Sequence, residues 1–164
     1  MKITVLIISL LFMAGLFACT AYVGEDPPAG AAEESAAPDF TLETVGGEKV
    51  VFSELLDTGK KAVLVFWTTW CGYCVQAVPA INEFYALHGG DVELLGINIR
   101  ESREHVAGFV SARDVQYPVA LDSDGAVSRM FAVAGVPAYY LFSAEGELIY
   151  SGHSFDEVSK QGGF

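Results

Sequence analysis

From Asp39 onward the chain alternates short apolar runs with stretches of helical spacing. Phe40–Val45 and Lys49–Phe52 are strand-like and flank Gly46-Gly47, a two-residue hairpin signal. Ser53 is placed to cap a short helix reaching Asp57. Ala62–Trp67 is an unbroken apolar, β-branched run, as expected of a strand buried on both faces. Helical spacing holds from Gly72 to Leu87, where Pro79 is expected to kink the helix and Gly89-Gly90 to stop it. Val92–Ile99 reads as a second buried strand, Ser102–Arg113 as a helix, Pro118–Leu121 as a short strand and Ala126–Ala132 as a short helix. Pro137–Ser143 and Glu147–Ser151 are strands joined by the hairpin signal Ala144-Glu145-Gly146. Such alternation, ending on a hairpin, predicts an α/β domain over residues 39–164 with a mixed central sheet flanked by helices.

The pattern before Asp39 is of another kind. Met1–Ala18 holds one cation, Lys2, then a nearly unbroken apolar run and no acid, the signature of a signal peptide. A membrane anchor is the alternative, although the run is short of the roughly 20 apolar residues a span needs. Leu16-Phe17-Ala18-Cys19 resembles the lipobox of bacterial lipoproteins, with Phe17 bulkier than that pattern usually has. The resemblance implies lipidation of Cys19 and a membrane-anchored protein, each buried methylene of the acyl chains contributing roughly 0.8 kcal/mol. Residues 20–38 are rich in Ala, Gly, Pro and Glu without apolar periodicity, so residues 19–38 read as an anchor cysteine and a flexible tether.

Charge and cysteine count then narrow the function. Twenty-one acids face nine bases, one of which, Lys2, leaves with the leader. That surface repels nucleic acid and anionic lipid headgroups and argues against nucleic-acid partners. Three cysteines in an exported chain leave one odd thiol. Lipidation of Cys19 removes it and leaves Cys71 and Cys74.

Those two lie in Trp67-Thr68-Thr69-Trp70-Cys71-Gly72-Tyr73-Cys74, where a buried strand gives way to a helix. A cysteine at a helix N-terminus meets free backbone N–H groups and the positive end of the macrodipole, and both favour the thiolate. The second cysteine, one turn on, can reach it to form a disulfide. Cys71 is the candidate nucleophile and Cys74 the resolving thiol. Two other readings compete. A zinc site needs about four ligands, whereas His88, His105 and His153 show no ligand spacing and no metal site is expected. A structural disulfide across so short a loop would stabilise little.

Phe66–Cys74, then Pro79, then Gly135-Val136-Pro137, resemble the thioredoxin superfamily, in particular its exported disulfide reductases, the TlpA/ResA-like family. The likeness runs from about Asp39 to Gly152. Gly96–Ser102, the helix after it and Tyr117–Asp122 resemble that family's added helix and strand. The resemblance implies a thioredoxin-like fold with an N-terminal hairpin and a helix–strand insertion, and a redox-active disulfide with no further cofactor. It makes Pro137 a cis-proline facing the cysteines and places Trp70, Gly72, Tyr73 and Val136 at the bound substrate, with Trp70 shielding the sulfurs. It implies exported protein thiols and disulfides as partners, apocytochrome c among them, and a membrane thiol carrier as electron donor. The place of work is then the bacterial cell envelope, with the domain facing the periplasm or extracytoplasmic space.

The chain departs from the family at three points. Val65 and Ala77 stand where relatives carry the carboxylate that handles the proton of the resolving cysteine, which leaves Glu101, at the end of the next strand, as candidate proton acceptor. Tyr73 replaces a frequent proline and admits an oxidase or isomerase as the alternative activity. The final helix, from Ser154, is expected to be shortened or missing. A peroxidase would need a proline where Leu64 stands, and a Cu(I) carrier would use His153 with a different cysteine spacing.

Overall fold

The computed structural model describes residues 37–164. The leader, Cys19 and nearly all of the tether lie outside the described residues. The first strands are β1 (Thr41–Thr44) and β2 (Lys49–Val51), followed by helix α1 (Phe52–Leu56). The central elements are β3 (Lys61–Trp67), α2 (Gly72–His88), β4 (Val92–Ile99), α3 (Arg103–Ala112), β5 (Val119–Asp122) and α4 (Ala126–Met130). The chain closes with β6 (Ala138–Phe142), β7 (Leu148–Gly152) and α5 (Phe155–Gly162). Among the described residues no helix is long and apolar enough to cross a membrane.

The seven strands form one sheet in the order β2-β1-β5-β4-β3-β6-β7. β3, β4 and β5 run parallel, while β6, β7, β1 and β2 pair antiparallel, so the sheet is mixed. The unbroken apolar run of β3 follows from burial on both faces, since Ala62–Trp67 are all at most 3% exposed. Val63, Val65 and Trp67 join Ile81 and Phe84 of α2, Val106 of α3 and Val158 of α5 on one face. Ala62, Leu64 and Phe66 join Phe52 of α1, Val127 of α4 and Phe131 on the other. Each large apolar side chain so buried stabilises the fold by about 1.5–3 kcal/mol.

The first hairpin and the start of α1 differ from the sequence pattern. The first hairpin loop has three residues, Val45-Gly46-Gly47. Thr44 pairs across it with Glu48 (N to O, 2.8 Å), and the Thr44 carbonyl and hydroxyl accept from Gly47 N (3.0 Å) and Glu48 N (3.1 Å). Gly47 takes φ +89°, the left-handed conformation such a loop places at its last position. Ala144-Glu145-Gly146 repeats the device, with Gly146 at φ +84°. Ser53 is not the cap of α1: the helix starts one residue earlier, and Ser53 N and Oγ both donate to the Asp39 carboxylate at 2.9 Å. α2 passes through Pro79 unbroken, because Val78 and Ile81 are buried and hold it against the sheet where Pro79 offers no N–H. The last helix is present but short, eight residues, with Val158 fully buried and Phe155 against Phe84 and Tyr139.

This topology brings three chain segments to one edge of the sheet. Trp67 at the end of β3 lies beside Asn98 near the end of β4, and Phe66 pairs with Ala138 at the start of β6. The loops leaving these points hold Cys71, Glu101 and Pro137.

Candidate active site

Thr68, Thr69 and Trp70 carry the chain from β3 into α2, and Cys71 is the N-cap, with extended backbone at φ −80° and ψ 107°. Its sulfur takes the place usually held by a Ser or Asp oxygen and accepts the Cys74 N–H at 3.1 Å. Cys71 and Cys74 are joined as a disulfide with Cα atoms 5.2 Å apart. The sulfurs belong to the core cluster that contains Trp67 and Tyr139, and the two cysteines are 7% and 4% exposed. In the dithiol state the same N–H and the helix dipole face the Cys71 sulfur and favour its thiolate.

The Val136–Pro137 peptide is cis. The Val136 carbonyl oxygen lies 3.5 Å from the Cys71 sulfur, so the loop before β6 faces the N-terminus of α2. His153 Nδ1 is 2.7 Å from the Pro137 carbonyl, and since a carbonyl only accepts, Nδ1 carries the proton. Gly72 is exposed, and a side chain there would meet nothing within 4 Å. Trp70 and Tyr73 are 75% and 77% exposed. Trp70 therefore projects into solvent rather than lying packed over the sulfurs. Trp70 precedes Cys71 and Tyr73 lies between the two cysteines, so both exposed rings flank Cys71 along the chain.

Val65 and Ala77 are apolar core positions, Val65 paired with Tyr139 and Gly96 and Ala77 packed against the same cluster as the cysteines. The Glu101 side chain is only 11% exposed, and its hydrogen bonds go to the loop before Cys71 and to Asn98. Oε2 accepts from Thr69 N (2.8 Å) and Asn98 Nδ2 (2.8 Å), and Oε1 from the Thr69 hydroxyl (2.5 Å). His105, one turn along α3, sits 2.9 Å from the Thr69 hydroxyl and 3.7 Å from Glu101. Burial pushes the Glu101 carboxyl up, but the donors of Thr69 and Asn98, with His105 beside them, outweigh it and leave it below its ordinary value. A carboxyl so held is a weak base that fixes the Thr68–Trp70 loop. The i,i+4 spacing of Glu101 and His105 was a visible sign of this cluster, whereas nothing in the sequence marked Thr69 as its centre. The contact of His153 with Pro137 had no sequence signal either.

Among the described residues, three buried polar side-chain atoms near this edge have no hydrogen-bond partner: Trp67 Nε1, Thr68 Oγ1 and Asn98 Oδ1. Trp67 Nε1 faces Gly96, where no side chain intervenes.

The Redoxin family model matches residues 32–161. Among curated proteins the chain is 34% identical to the thiol–disulfide oxidoreductase ResA of Bacillus subtilis, over 71% of this chain and 65% of that protein. It is 32% identical to the sporulation thiol–disulfide oxidoreductase A of the same organism, over 74% and 76%. Among solved structures it resembles a secreted Mycobacterium tuberculosis disulfide oxidoreductase homologous to Escherichia coli DsbE, at 29% identity and a TM-score of 0.66, covering 74% of this chain and 92% of that one.

Proposed function

The chain belongs to the Redoxin family as a thioredoxin-like thiol–disulfide oxidoreductase, and from that premise we propose that it reduces disulfides of exported proteins outside the cytoplasm. The observation that carries the reading is the Cys71 sulfur at the N-cap of α2, with the Cys74 N–H on it and the Val136 carbonyl beside it.

The reaction starts from the dithiol form. The Cys71 thiolate attacks one sulfur of a substrate disulfide, forming a Cys71–substrate disulfide and releasing the other substrate sulfur as a thiolate. Cys74 then loses its proton and attacks the Cys71 sulfur. The Cys71–Cys74 disulfide forms, the mixed disulfide breaks, and the second substrate thiolate leaves with two electrons transferred in all. The backbone at Val136 and cis-Pro137 accepts the substrate as an added extended strand, and Trp70, Gly72 and Tyr73 supply the surface on which it lies. The Cys74 proton goes to the substrate thiolate released in the first step, while Glu101 holds the Thr68–Trp70 loop that leads into Cys71. A membrane dithiol resets the enzyme by the reverse exchange.

Export is supported by the leader-like pattern of Met1–Ala18 and by the secreted relative, and lipidation of Cys19 would keep the domain at the envelope. Exported cysteine pairs, including those of apocytochrome c, are the proposed substrates. Oxidase or isomerase work is the second reading, favoured by Tyr73 between the cysteines. The reduction potential of the Cys71–Cys74 pair tests the direction. A value near or below roughly −250 mV is expected, whereas one above roughly −180 mV would overturn the reductase reading.

A further inference from the structure

Beside the disulfide lies a pocket of about 330 Å3 whose lining includes Thr68, Trp70, Arg100, Arg129, Val133 and Val136. Two guanidiniums at one pocket are notable in a chain of 21 acids and nine bases. Among the described residues, Lys60, Arg103 and Lys160 each pair with a glutamate. Among the described residues, neither Arg100 nor Arg129 pairs with a carboxylate.

Local structure aims both of them. Arg100 leaves β4 at φ +57°, a conformation rare for a side-chain-bearing residue, and its N–H is held by the Asp122 carbonyl at 3.0 Å. Its side chain lies across Gly125. A Cβ added there would collide with Arg100 Nε and sit 3.0 Å from Cζ, so the glycine makes room for the guanidinium. Arg129 donates from Nη1 to the Asp124 carbonyl at 2.9 Å, which fixes its stem and leaves other donors free. The acids nearby are engaged with N–H groups: Asp122 with Val127 N and Ser128 N, Asp124 with Ala126 N, and Glu101 with Thr69 and Asn98.

We propose that Arg100 and Arg129 form a specificity subsite for a carboxylate side chain of the substrate polypeptide, close in sequence to its reacting cysteine. The inference rests on the oxidoreductase reading above. A substrate strand laid along Val136 sends alternate side chains to one side, where the pocket mouth meets Trp70. Two charge-assisted contacts at this point select an acidic neighbour while the overall negative charge of the protein disfavours acidic chains in general, so a local preference stands out against the global field.

The test uses the full chain in detergent and disulfide-bonded peptides that differ only by Glu against Gln at each of the two positions on either side of the cysteine. At least one Glu peptide is expected to show a kcat/KM about ten-fold above its Gln partner, the effect of two charge-assisted contacts partly screened by solvent. Arg100→Gln and Arg129→Gln are expected to bring the ratio towards one, whereas Arg113→Gln, an equal loss of charge away from the pocket, retains it. In the wild-type protein the ratio should fall as salt rises. Reduction of all peptides at rates within about two-fold, or a preference that survives both pocket substitutions, overturns the subsite alone. Failure to reduce any peptide overturns the oxidoreductase reading with it.

Discussion

Replacing Glu101 separates the charge of its carboxylate from the shape of its side chain. The carboxylate accepts two hydrogen bonds from Thr69 and one from Asn98 with little exposure. Glu101→Ala leaves these donors to whatever water can enter, and at roughly 1–3 kcal/mol for each donor left unpaired, with water replacing part, the loss is about 3 kcal/mol. Glu101→Gln keeps one acceptor oxygen for Thr69 N, and the Thr69 hydroxyl can turn to accept from the new amide. Only the charge assistance is lost, about 1 kcal/mol.

The pH dependence gives the sharper check. The folded-state pKa lies below the ordinary value of 4.5, so the carboxylate stabilises the fold fully above that value and loses its effect as pH falls through the lowered one. A glutamine is close to a protonated glutamate. Wild type and Glu101→Gln should therefore differ most at pH 7 and converge in acid. Urea unfolding of the oxidised protein at pH 7 and in acid below the lowered carboxyl value measures this. A Gln variant as unstable as the Ala variant, or a wild-type advantage unchanged between the two pH values, would refute the account of Glu101 as an ionised clamp.

Other expectations follow from the same edge of the sheet. In single-turnover experiments Glu101→Gln should slow release of substrate from the mixed disulfide, and an unchanged rate sinks any part for its carboxylate in that step. Gly96→Ala should destabilise by about 1–3 kcal/mol, since its Cβ would sit 2.9 Å from Tyr117 Cε2 and 3.2 Å from Trp67 Nε1, and both rings are buried. A melting temperature equal to that of the wild type would show that the rings move aside freely.

Where a single physical constraint wrote itself into consecutive residues, the sequence was readable. The run Ala62–Trp67 is apolar at every position because both faces of β3 are covered, and the cysteine pair follows at once because the helix must begin there. Contacts between distant segments left no such trace. Asp39 reaches Ser53 across fourteen residues, and so takes the work a local reading gave to Ser53 as a cap. Glu101 reaches Thr69 across thirty-two, and Arg129 comes to Arg100 only because β5 and α4 fold back beside β4. The first hairpin shows a nearer miss: Thr44 recruits its own hydroxyl to the turn, which lengthens the loop by one residue.

The division of labour at the sheet edge has a consequence for how such a protein can change. The sulfurs are tied to the packed interior through the start of α2, but Arg100, Arg129, Trp70 and Tyr73 are exposed residues on loops or helix surfaces beyond the ends of the strands. Their replacement disturbs no filled interior space. The chemistry is thus inherited with the fold, while the choice of client is written in a few surface codons that can drift, or be rewritten by design, without refolding the molecule.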